Sequence, residues 1–121
     1  MQLQSRLFQG DRALESCLVQ DSAHITVGAS GDHVSKIHTA LLILDGVSVA
    51  AAELKTQKYA ASTAAAVLAF KRRRHIINTS YQTQADNIVG KMTIAAMDRE
   101  MLSRERAGPP PPDPRKDPAS V

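Results

Sequence analysis

The chain has 121 residues, so a single domain is the default, and with no Trp, two Tyr and two Phe its core must come mainly from aliphatic residues, which suits packed helices better than a sheet. A net charge of +3, part of it at Arg115 and Lys116, is smaller and less clustered than a dedicated nucleic-acid binder carries. The single Cys17 excludes an intrachain disulfide and a Cys-based zinc site, and no run approaches the ~20 apolar residues of a membrane span.

Residues 1–10 carry little pattern. Asp11 is placed to N-cap a short helix with Leu14, Cys17 and Leu18 on one face. Residues 21–30 read as a connector with a short extended piece at 25–27. Gly28 and Gly31 mark a loop, and Asp32 is a candidate N-cap. Val34, Ile37, Leu41 and Leu44 then recur three and four apart, which predicts a helix over 33–44 stopped by Asp45-Gly46. Residues 47–58 fit either a loop or a helical turn at 50–54. The next helix opens at Ala61 or Ser62, buries Thr63, Ala66, Val67 and Phe70, and closes on Lys71-Arg72-Arg73-Arg74. Ile76 and Ile77 suit a buried strand-like or turn segment, and 78–87 a polar loop. The last helix is expected over 91–104, with Ile94, Met97 and Met101 in its stripe. From Gly108 the run GPPPPDPRKDPASV predicts a disordered or polyproline-like tail, of the kind that joins a domain to a second one.

Two segments share a pattern. Tyr59, Thr63, Ala66 and Val67 have the same spacing as Val89, Thr93, Ala96 and Met97. Each unit describes a buried anchor ahead of a helix, a threonine in its first turn that can meet unpaired backbone groups, and an alanine that permits close helix approach.

On these residues the chain resembles the peptidoglycan-binding-like domain family, small three-helix modules usually attached to cell-wall hydrolases. Gly28, Gly31, Val34, Ile37, His38 and Leu41 look like the family's first block, with His38 where Gln is common, and Asp45-Gly46 look like the turn after it. Tyr59, Thr63, Ala66, Val67, Phe70 and Lys71 look like the second block. Asp86-Asn87-Ile88-Val89-Gly90, Thr93, Ala96 and Met97 look like the third, with Asn87 in place of a glycine, a mild swap at a positive backbone angle. The likeness covers about residues 24–102. It departs around Tyr59, where the usual flanking glycines are absent, and at 78–84, where the loop is longer.

The resemblance implies an all-α fold, a compact three-helix bundle at 24–104, to which the residues themselves add a short extra N-terminal helix in 1–23 and a disordered Pro-rich tail at 105–121. It implies a non-catalytic module, without cofactor or metal, that binds the glycan strand or stem peptide of bacterial cell-wall peptidoglycan. The expected ligand-binding residues are Tyr59, Thr63, Asp86, Asn87, Gly90, Lys91 and Thr93, with Arg72 and Arg73 as weaker candidates. MQLQSRLFQGDRALESCLVQ lacks the apolar run of a secretory signal, so an envelope target implies another export route or a larger chain.

Each feature also has a plainer reading. Cations at a helix C-terminus complement the macrodipole, and four consecutive ones, about 100° apart, cannot face one partner. His24, His33, His38 and His75 show no metal spacing; His38 fits a packing role at the core edge and His33 an exposed first turn. Cys17 fits a buried structural thiol. Ser30 is not a nucleophile elbow, and no pair of carboxylates stands out for acid–base work. Two other classes stay open: an adaptor module of a secretion or injection machine, or a targeting module of an effector exported without a signal, that keeps the fold without glycan binding, and a small DNA-binding helical protein, which the absence of a nearby stacking platform disfavours.

Overall fold

A computed structural model describes residues 2–76 and 86–107. The expectations for Ile77, for most of the 78–87 loop and for the proline-rich run fall outside the described residues. Five α-helices make up the described chain: α1 (Arg12–Val19), α2 (Asp32–Asp45), α3 (Ala51–Thr56), α4 (Ala61–Arg74) and α5 (Lys91–Ala107). A single 3-10 turn at Asp21–Ala23 follows α1. The fold is mostly helical, and none of these helices is long and apolar enough to cross a membrane.

The helices start and stop for local reasons. Asp11 caps α1 by accepting a hydrogen bond from the Leu14 amide at 3.1 Å. Asp32 is not the cap of α2, as expected, but its first residue. Gly31 takes the cap position at φ 127°, where a side chain would be strained, and Asp32 adds favourable negative charge to the first turn. Gly46 ends α2 in the left-handed conformation at φ 66°. The ambiguous 47–58 stretch contains α3, and α5 runs three residues beyond its expected end. These ends carry little hydrophobic periodicity, so spacing alone could not place them.

The expected core positions are buried: Val34, Ile37 and Leu41 of α2, Ala66, Val67 and Phe70 of α4, and Ile94, Met97 and Met101 of α5. Leu44 is only partly buried against them. Leu3 and Phe8 belong to the same cluster as these residues, although no periodicity marks them. Their segment is held by carboxylates rather than by a ladder. Asp98 accepts from the Gln4 and Ser5 amides, Glu105 from Arg6 and Leu7, and Glu15 from Leu3 and Gly10. A buried amide without a partner is costly, so each bond fixes the segment as well as satisfying it.

One connector, extended at Ile25 and turning at residues 27–28, ties the helices at their N-terminal ends. Ile25 and Val89 exchange both backbone hydrogen bonds at 2.8 Å. Three and four residues on, the Gly28 amide donates to the Tyr59 carbonyl and the Ala29 carbonyl accepts from the Tyr59 amide, both at 2.9 Å. The residues ahead of α4 and α5 are therefore pinned to the same strand-like piece, which the sequence placed at 25–27.

Phe8 is fully buried within the common cluster. Phe8→Ala should cost about 3–5 kcal/mol of stability in urea unfolding, the range for emptying a buried phenylalanine site. A change below about 0.5 kcal/mol, ordinary for a surface position, would mean that residues 2–10 are a detachable extension.

Candidate functional site

The two pseudo-repeats occupy equivalent positions. Tyr59 and Val89 are both buried anchors on the connector, Thr63 and Thr93 are buried in the first turns of α4 and α5, and Ala66 and Ala96 are buried one turn later. Tyr59 also links the two units directly, because its hydroxyl donates to the Asn87 carbonyl. Burial, with the Asp86 charge adding to it, pushes the phenol far above its ordinary range, so it stays a donor. At 1% exposure it has no ring face for a sugar to stack on.

The 86–90 turn is gripped from α4. Lys71 is buried, and its Nζ donates to the Asp86 carboxylate and, at 2.8 Å, to the Ile88 carbonyl. Asp86 in turn accepts from the Ile88 amide. Val89 is fully buried here, whereas Ile88 is half-buried. Among the described residues outside glycine, Gln57 and His75 have positive φ; Asn87 does not, so the expected left-handed angle is absent there. Gly90 starts α5 by accepting from the Ile94 amide.

The basic run divides between two tasks. Lys71 points inward, and Arg74 bridges Asp45 and Glu100 while its guanidinium lies 3.7 Å from the Phe70 ring centroid. The hydrogen bond to Glu100, partly opposed by desolvation and reinforced by Asp45, holds Arg74 above even its usual high pKa. Arg72 and Arg73 are exposed, with Arg73 3.6 Å from Asp45. Of the expected ligand-binding residues, then, Asn87, Lys91, Arg72 and Arg73 are exposed and Asp86 and Gly90 half-buried. Tyr59, Thr63 and Thr93 serve the interior.

A second polar centre was not foreseen. Ala60 stands at the N-cap of α4 and has no side-chain acceptor. Glu53 of α3 supplies one from outside: its carboxylate accepts from the Ala60, Ser62 and Thr63 amides at 3.0–3.1 Å and from the Ser62 and Thr63 hydroxyls at 2.6 and 2.7 Å. Ser62 Oγ returns the service by accepting from Ala50, the N-cap of α3. A cap position filled by alanine was the available signal that an acceptor had to come from elsewhere.

Thr63 extends this network to α2. Its hydroxyl proton goes to Glu53, so its oxygen accepts from His38 Nε2 at 2.7 Å. This assigns His38 as the Nε2–H tautomer. Burial lowers the His38 pKa more than Glu53 and the Lys58 carbonyl raise it, so the ring is neutral at pH 7. Nδ1 is left as a buried acceptor with no protein partner, a situation that costs about 1–3 kcal/mol. His38 is 3% exposed and forms part of the wall of an 80 Å³ cavity, with Thr39, Leu42, Val47, Val49 and Leu54. His33, expected to be exposed, is half-buried. Cys17 is buried, its Sγ donates to the Val89 carbonyl at 3.3 Å, and burial pushes its pKa up to about 11. Among the described residues no cluster of three or more His, Cys, Asp or Glu is arranged to hold a metal.

No protein-family model, curated protein or solved structure matches the chain.

Burial disfavours the ionised form of Glu53, but the bonds from Ser62 and Thr63 outweigh it and bring its pKa from 4.5 down to about 2. Because the folded-state pKa is depressed, this stabilisation is complete above pH 4.5 and is lost as pH falls towards 2. Glu53→Gln should lower stability by about 1–3 kcal/mol at neutral pH. The gap between the two proteins should narrow on acidification through that window, as measured by denaturant unfolding at a series of pH values. A gap independent of pH would show that the carboxylate charge is not what holds α4.

Proposed function

We propose that the chain is a non-catalytic binding module for bacterial cell-wall peptidoglycan, a three-helix domain of the peptidoglycan-binding type built on α2, α4 and α5. In this reading α1 is the extra N-terminal helix and the Pro-rich run is a tail. The observation that carries the proposal is the equivalence of the pseudo-repeats, with Tyr59 and Val89 on one connector and buried Thr63 and Thr93 leading the helices that follow. That arrangement supports the likeness seen in residues 24–102, and with it the type of ligand.

Recognition would be shallow and polar. Asn87 offers an amide, Lys91 an ammonium, and Arg72 and Arg73 guanidinium groups to the amides, hydroxyls and carboxylates of wall material. Asp86 contributes by holding the turn through Lys71 rather than by reaching outward. Tyr59, Thr63 and Thr93 set the shape of the surface from beneath.

A sedimentation assay with purified insoluble peptidoglycan at about 0.15 M salt tests this reading, because weak long-range attraction is screened there. The protein should pellet with the wall material, and an Asn87→Ala, Lys91→Ala variant of unchanged thermal stability should lose most of that binding. Both substitutions leave the Asn87 carbonyl free to meet Tyr59, and they spare Asp86, whose loss would strand the buried Lys71 charge. Protein that stays wholly in solution would reject the proposal.

A further inference from the structure

Towards the C-terminal end of α5 the acids are used up internally and the cations are left outside. Asp98 and Glu105 are committed to backbone amides of residues 4–7, and Glu100 and Asp45 to Arg74. Arg99, Arg104 and Arg106 of α5 are exposed, as is Arg6 on the segment that Glu105 holds. Among the described residues these four guanidinium groups enter no ion pair; Lys36, Lys71, Arg73 and Arg74 do. A net charge of +3 therefore understates the field at this end of the molecule.

The arrangement also says what kind of anion fits. All four cations are arginine, whose planar fork matches phosphate oxygens in pairs. They do not share one face. By helical geometry Arg106 lies about 20° round from Arg99, Arg104 about 140° round in one direction, and Glu105, which holds the Arg6 segment, about 120° round in the other. A DNA duplex, stiff over about 50 nm, lies tangent to one side of such a helix end and meets only part of the set. A single strand bends, but its bases call for a stacking surface, and every Phe and Tyr among the described residues is buried. A flexible phosphodiester chain without bases meets both conditions.

We propose that this end of the bundle binds a flexible, base-free phosphodiester polymer of the poly(glycerol phosphate) kind, wrapped round the last two turns of α5 so that each arginine takes one phosphate. The proposal rests on the wall-binding reading for where such a polymer is met. It adds a second wall component at a surface clear of Asn87 and Lys91, which stand at the other end of α5.

The test is fluorescence anisotropy of labelled poly(glycerol phosphate) titrated with the full chain. Binding should be saturable. It should weaken with salt at a log–log slope of roughly −3, about −0.7 for each phosphate contacted, as for single strands. At about 0.15 M salt, where distant charges are screened, Arg99→Gln, Arg104→Gln and Arg106→Gln made together should weaken it about tenfold or more, with thermal unfolding unchanged. Arg12→Gln, Lys55→Gln and Lys58→Gln remove the same charge from other exposed positions and should leave it within about twofold. Oligothymidylate and a DNA duplex should bind more weakly at equal phosphate concentration. Absence of saturable binding, a loss no larger in the α5 variant than in the control, or tighter binding of either DNA would overturn the proposal. The two readings fail separately: the α5 variant should still pellet with peptidoglycan stripped of phosphodiester polymer, and the Asn87→Ala, Lys91→Ala variant should still bind poly(glycerol phosphate).

Discussion

An extended backbone cannot satisfy its own amides and carbonyls, so a connector between helices needs partners along its length. In this protein one such bond is internal, from the Ala29 amide to the Thr26 carbonyl, and Ile25, Gly28, Ala29 and Gly31 find the others in the residues ahead of α4 and α5. The constraint works in both directions. Val89 and Tyr59 cannot move apart without breaking backbone bonds to the connector, and the connector cannot leave without exposing theirs. The helices that follow these anchors consequently start at fixed places relative to α2, which begins where the connector ends. Their threonines and alanines then face the core by helical geometry alone.

Carboxylates complete what the connector begins. Glu53 serves amides at the start of α4, Asp98 and Glu105 serve the N-terminal segment from α5, and Glu15 serves it from α1. Each is a long-range substitute for a local cap or ladder. Their scattered positions in sequence reflect that work, because each stands where a backbone amide needs it and not beside another acid. Lys71 plays the complementary part by meeting the Ile88 carbonyl and the Asp86 carboxylate.

The legible part of this fold was the part governed by periodicity. Val34, Ile37 and Leu41, then Ala66, Val67 and Phe70, then Ile94, Met97 and Met101 repeat at helical spacing, and each set is buried. Asp11 and Gly46 punctuate helices by local chemistry and were legible for the same reason. Leu3 and Phe8 were not, since irregular backbone has no period and its partners on α5 lie more than ninety residues away. The same holds for the Glu53–Thr63–His38 chain, which joins three helices through side chains whose spacing in sequence carries no signal. Among the expected binding residues, residue type and turn position indicated a site. They could not tell outward-facing Asn87 and Lys91 from inward-facing Tyr59, Thr63 and Thr93, because both kinds are polar-tipped residues beside a helix start.

The lone thiol of Cys17 lies where α1 meets the connector, donating to the carbonyl of Val89. A thiol reacts through its thiolate, and at a pKa of about 11 that form is scarce at neutral pH even before access is considered. Full burial removes access as well. The rate at which this sulfur is alkylated is therefore a clock for the opening of the fold around Val89. The molecule carries its own single-site reporter of the junction on which its architecture turns, without any label having to be introduced.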